Sequence, residues 1–80
     1  MDGWLEEARA KLAAEVGDDP AAYDLTRAEM DELLELAREA AHRSGERTNA
    51  PLLCYLVGLA RGRHGRDLAD LVDATVGSSA

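Results

Sequence analysis

Leu52 to Leu59 is a run of eight residues (Leu-Leu-Cys-Tyr-Leu-Val-Gly-Leu) with no charge, no amide and no hydroxyl except the phenol of Tyr55. Pro51 just ahead of it suits the first turn of a helix. As a helix the run is apolar on every side, a pattern that water tolerates only when other elements surround it. It is less than half the roughly 20 residues that cross a bilayer, so protein rather than lipid is expected to cover it. The expectation is an all-α fold: a small bundle of about four helices around this central apolar helix, with Leu56 and Leu59 fully buried.

Flanking patterns supply the other helices. Trp4, Leu5, Ala8, Leu12 and Val16 recur at three-to-four spacing and predict a first helix over 3–16, with this stripe buried and Gly17 as a left-handed cap. Asp19 before Pro20 can cap one short helical turn over Ala21–Tyr23. Thr26-Arg-Ala-Glu29 has the hydroxyl and carboxylate spacing of a capping box and opens a second helix over about 27–43. Its inner face is expected from Met30, Leu33, Leu34, Ala37 and Ala41, widened by Leu36 and Ala40, while Glu29 and its fellow acids stay outside. The apolar helix is expected over 50–62 and a last one over 67–76, with Leu68, Leu71, Val72 and Thr75 or Val76 inward. Gly58, inside a helix, costs about 1 kcal/mol relative to Ala and suggests close approach of another helix. The whole chain, 1–80, reads as one domain with a loose tail over 76–80.

The charge is lopsided. Residues 1–40 carry twelve acids against four bases and residues 41–80 four acids against five bases, for a total of −7. An acidic surface repels phosphate backbones, so a nucleic-acid partner is not expected. One cysteine, Cys54, forbids an internal disulfide, and the N-terminus lacks a basic leader segment. A reducing cytoplasm is therefore the expected location, with no membrane segment.

Catalytic constellations are sparse. Ser44, Ser78 and Ser79 have no nucleophile elbow and no nearby His and Asp partners. Cys54 sits in the apolar run, where a thiolate is disfavoured, and reads as a core thiol. His42 and His64 lie on different segments with no further ligands at metal spacing, so no metal and no cofactor are expected. An enzyme is not expected. Arg61, Arg63, His64 and Arg66 form a basic cluster at the end of the apolar helix, where they complement its dipole. The sharper reading is a contact with an anion or an acidic partner, with His42 contributing, because guanidinium forks suit phosphate and carboxylate. Trp4 is either a lid on the core or a hot spot for a partner. An acidic helical chain of this size also suggests a carrier protein, but Asp24-Leu25-Thr26-Arg27 holds no serine for a phosphopantetheine arm.

Three pieces carry a family likeness: Trp4, Leu33-Leu-Glu-Leu-Ala-Arg38 leading to Ala41-His42, and Ala50-Pro-Leu-Leu-Cys-Tyr-Leu-Val-Gly58-Leu-Ala. Over residues 4–61 the chain resembles a small actinobacterial helical domain of unknown function. That domain is associated with, and sometimes fused to, molybdenum-cofactor guanylyltransferase-like proteins. The resemblance implies a non-catalytic accessory or protein-interaction module serving molybdenum-cofactor biosynthesis, with that guanylyltransferase as a candidate partner. A homodimer is compatible with it. The alternative is a small domain that binds a pterin or nucleotide anion at the basic cluster.

Overall fold

The computed structural model describes residues 2–77, all helix, turn and loop. Helix α1 spans Gly3–Val16, a 3-10 turn Pro20–Tyr23, α2 Arg27–Ser44, α3 Asn49–His64 and α4 Leu68–Val76. Of the tail expected over 76–80, Val76 is instead the buried last residue of α4, and 78–80 lie outside the described residues.

Local chemistry fixes these boundaries. Asp2 accepts a hydrogen bond from the Leu5 amide at 2.8 Å and so caps α1. Gly17 ends it in the left-handed region at φ 78°. Asp19 accepts from the Ala21 amide at 2.9 Å and starts the 3-10 turn. The capping box at α2 is complete, with Glu29 N–H donating to Thr26 Oγ1 and Thr26 N–H donating to Glu29 Oε1. Gly65, at φ 64°, closes α3 by donating to the Arg61 carbonyl at 2.8 Å.

Helices α2, α3 and α4 form the bundle, with α2 and α3 antiparallel across a four-residue loop. Leu36, Val57, Leu68, Val72 and Val76 make the core, with Leu33, Leu53, Cys54 and Leu71 packed half-buried around it. On α4 the inward residue is Val76; Thr75 is exposed, its hydroxyl donating to the Leu71 and Val72 carbonyls. On α2 the deepest residues are Leu36 and Ala40, while Leu34 stands out in solvent. The buried face is thus turned from the one the spacing suggested, because it follows the line of contact with α3 and α4.

Three expectations fail here. Helix α1 does not lay its stripe on the bundle. It packs on the 3-10 turn, buries only Ala13, and leaves Trp4, Leu5, Leu12 and Val16 exposed. Trp4, 77% exposed, is no lid on the core. Nor is α3 enclosed. Val57 is its one fully buried residue, whereas Leu56 and Leu59 are 56% and 44% exposed. Only α2 and α4 pack closely against α3, and they leave Leu52, Tyr55, Leu56 and Leu59 exposed. The expected close approach at Gly58 is also missing: nothing lies within 4 Å of where a Cβ would stand there. The molecule is accordingly elongated, 41 × 25 × 20 Å with a radius of gyration of 13.5 Å. A compact chain of this length would have a radius of about 12 Å.

Candidate functional site

Helix α3 carries two apolar stripes on opposite sides. The inner one, Leu53, Cys54 and Val57, meets α2 and α4. The outer one, Leu52, Tyr55, Leu56 and Leu59, faces away from the bundle, and Tyr55 at its middle is 68% exposed. A spacing of three, one and three residues keeps these four side chains on one face of a helix. From Thr48 to Ala60 the chain has no charged residue, so the outer face is both apolar and uncharged. These four residues are thus exposed together rather than scattered singly.

Grooves flank this face. On one side Leu5, Ala8 and Leu12 of α1 look across at Gly58, Arg61 and Gly62 of α3. On the other, Leu52 and Leu56 border Arg43 and Ser44 of α2 and Thr75 and Val76 of α4. Helix α1 is held at its distance by the Arg9 guanidinium, which pairs with Asp24 and donates to the Pro20 carbonyl at 2.9 Å. Arg9 Nε is buried beside this pair without a hydrogen-bond partner. Tyr23 donates to Asp18 at 2.6 Å, which raises its phenol pKa above the ordinary value and tightens the same turn.

The basic cluster is divided. Arg61 is half-buried and donates to Glu29 Oε2 at 2.5 Å, tying the end of α3 to the start of α2. Glu29, expected on the outer face, is thus a tertiary latch as well as a cap. Its carboxyl is held below the ordinary glutamate range, first by the Thr26 amide and then by Arg61. Arg63, His64 and Arg66 are exposed at the end of α3. His42 lies thirteen residues along α2 from Glu29, about 20 Å away at 1.5 Å per residue, so the fold does not bring it to the arginines. Trp4 is exposed near the start of α1, on a different element from the outer face of α3.

Burial and a contact of Cys54 Sγ with the Leu33 carbonyl at 3.9 Å mark Cys54 as a core thiol. Burial pushes its pKa up, away from nucleophilic use. Among the described residues no group of three His, Cys, Asp or Glu side chains could hold a metal, and no helix is long and apolar enough to cross a membrane. The outer face of α3 escapes sequence reasoning that takes the whole run as buried. The signal is present all the same: the run is apolar on more sides than two neighbouring helices can cover.

The chain matches, over residues 1–80, the family described as a domain of unknown function, DUF6457, and belongs to it. No curated protein and no solved structure matches.

Proposed function

We propose that this member of a family of unknown function is a non-catalytic helical interaction module that presents the outer face of α3 to another polypeptide chain. The observation that carries this reading is the exposure of Leu52, Tyr55, Leu56 and Leu59 together on an uncharged helix face. Interface cores are depleted of charge and enriched in aromatic residues such as Tyr55. The net charge of −7 makes nucleic acid a poor partner. The resemblance over residues 4–61 supports a place in molybdenum-cofactor biosynthesis in the cytoplasm, as an accessory to chemistry performed by a nucleotidyltransferase.

A photo-crosslinking residue in place of Tyr55 tests this reading in the producing cell. The expected result is a covalent adduct with a second polypeptide, lost when Leu56→Lys is added. Absence of any adduct from positions 52, 55 and 59 would refute the reading.

A second reading, binding of a phosphate-bearing small molecule at Arg63, His64 and Arg66, is supported by one observation. Among the described residues neither Arg63 nor Arg66 makes an ion pair, whereas Arg61 does. NMR titration with inorganic phosphate tests it: shifts confined to residues 61–66 support it, and flat spectra remove it.

A further inference from the structure

We infer that the occupant of the outer α3 face is an amphipathic helix of another protein, whose apolar side chains seat on Leu52, Tyr55, Leu56 and Leu59 and whose acidic end meets Arg63 and Arg66. The inference rests on the interaction reading above and gives its partner a chemistry.

The form of the partner follows from what the face offers. Among the described residues there is no strand, so an extended peptide finds no sheet edge to pair with. What is offered is a side-chain stripe along an uninterrupted helix of 16 residues, with a groove on each flank. A second helix laid along such a stripe touches it at every turn, through its own residues at spacings of three and four.

The charge of the partner follows from where the bases lie. Residues 41–66 carry five arginines against one acid, Glu46, a net charge of +4 with the histidines neutral. The rest of the chain carries four bases against fifteen acids, net −11. The apolar stripe therefore sits inside the positive stretch of an acidic chain. Arg63 stands four residues after Leu59, one helical turn and about 6 Å further along the same face. Arg66 follows just past the Gly65 cap. Both are exposed, and neither makes an ion pair among the described residues. Arg9, Arg43 and Arg61, which border the two grooves, are already matched by Asp24, Glu39 and Glu29. Asp24 is the only acid among the residues bordering either groove, and Arg9 holds it.

At physiological ionic strength charges are screened beyond about 8 Å, so the groups beside the stripe count for most in the field that a docked segment feels. An acidic segment is attracted by Arg63 and Arg66 and repelled by the acidic remainder of the chain, which discriminates against docking elsewhere. A bilayer of anionic lipid is negative too, but it is broad and meets that acidic remainder as well.

Two synthetic amphipathic peptides of the length of α3, with the same leucine stripe, test the inference. One carries Glu at both ends and the other Lys. Fluorescence anisotropy with the full chain is expected to show the Glu peptide binding about tenfold or more tighter than the Lys peptide at low salt, with the preference shrinking as salt is added. Leu56→Ser weakens both peptides, because the apolar contact is common to them. Arg63→Gln with Arg66→Gln removes the preference, and Arg63→Glu with Arg66→Glu inverts it. Far-UV circular dichroism is expected to be unchanged in each variant, since all these side chains are exposed. Equal binding of the two peptides, tighter binding of the Lys peptide, or a preference that survives the arginine replacements overturns the inference. If both peptides bind equally and Leu56→Ser weakens both, the acidic partner fails and the interaction reading stands. Cosedimentation with vesicles of phosphatidylcholine and one-quarter phosphatidylserine, lost in Leu56→Ser, overturns the inference in favour of a membrane. If neither peptide binds, the adduct formed at position 55 in the producing cell decides. Its mapping by mass spectrometry to a segment of another protein with acidic residues beside apolar ones supports the inference, and mapping to any other segment overturns it. With no adduct either, both readings fail.

Discussion

Leu36 and Leu56 are leucines in adjacent helices, and the fold gives them opposite environments. Leu36 is fully buried and is the one large side chain among the described residues with no solvent exposure. Replacing it by alanine removes three carbons, worth about 2.4 kcal/mol at about 0.8 kcal/mol per methylene. The cavity left among Val57, Leu68 and Val72 takes the loss to about 3 kcal/mol or more. Leu56 has 56% of its surface in water. Leu56→Ala therefore forfeits less than half of the transfer energy, about 1 kcal/mol, and leaves no cavity. Against a total of about 4–12 kcal/mol for a chain of this length, the first change approaches unfolding and the second does not. Urea denaturation followed by far-UV circular dichroism, at low micromolar concentration, measures both. Repeating it at high concentration tests for association. The Leu36→Ala loss stays constant with concentration, and any growth of the Leu56→Ala loss reports association through the outer α3 face. Equal losses at low concentration, or a Leu36→Ala loss under about 1 kcal/mol, would refute the placement of the core and of the outer α3 face.

Other outcomes follow from the same geometry. The Glu29 carboxyl is held below its ordinary range in the folded chain. Its contribution to stability is therefore complete above the unfolded value of about 4.3 and disappears as pH falls through the folded value. Glu29→Gln is expected to flatten the acid limb of stability against pH, read as the urea midpoint at each pH, whereas wild-type slope in the variant would rule out the latch. Because α1 packs on the 3-10 turn alone, its amides in 3–16 are expected to exchange with deuterium before those of α2 and α3. Arg9→Ala should hasten that exchange and leave α2–α4 protection unchanged; uniform protection throughout would show that α1 is part of the bundle. Gly58→Ala, in a helix interior with open space at the Cβ position, should stabilise the single chain by about 0.5–1 kcal/mol. Gly65→Ala, at φ 64°, should destabilise it by about 1 kcal/mol or more, both read from thermal melts.

The elements of this fold are written locally. Asp2, Asp19 and the Thr26–Glu29 box satisfy the first free amides of their helices with their own side chains, and Gly17, Gly45 and Gly65 adopt the left-handed turn that ends one. Such signals act within a few residues, so helix number, order and boundaries were legible in the chain, as was Cys54 as a core thiol. The pairing of α3 with α2 and α4 was not. An apolar helix states how much surface must be covered and not by what, and α2 and α4 leave Leu52, Tyr55, Leu56 and Leu59 exposed. Periodicity likewise points the α1 stripe at the core. The Arg9–Asp24 pair and the burial of Ala13 on the 3-10 turn direct α1 elsewhere, through contacts between segments that no periodicity records. The same holds for Glu29 and Arg61, thirty-two residues apart and joined only when α2 and α3 fold back on each other. What the sequence determined by itself is the set of helices and the apolar surplus of α3. Which side of that surplus stays open was decided by the tertiary structure, because burial depends on how many neighbours the fold brings near.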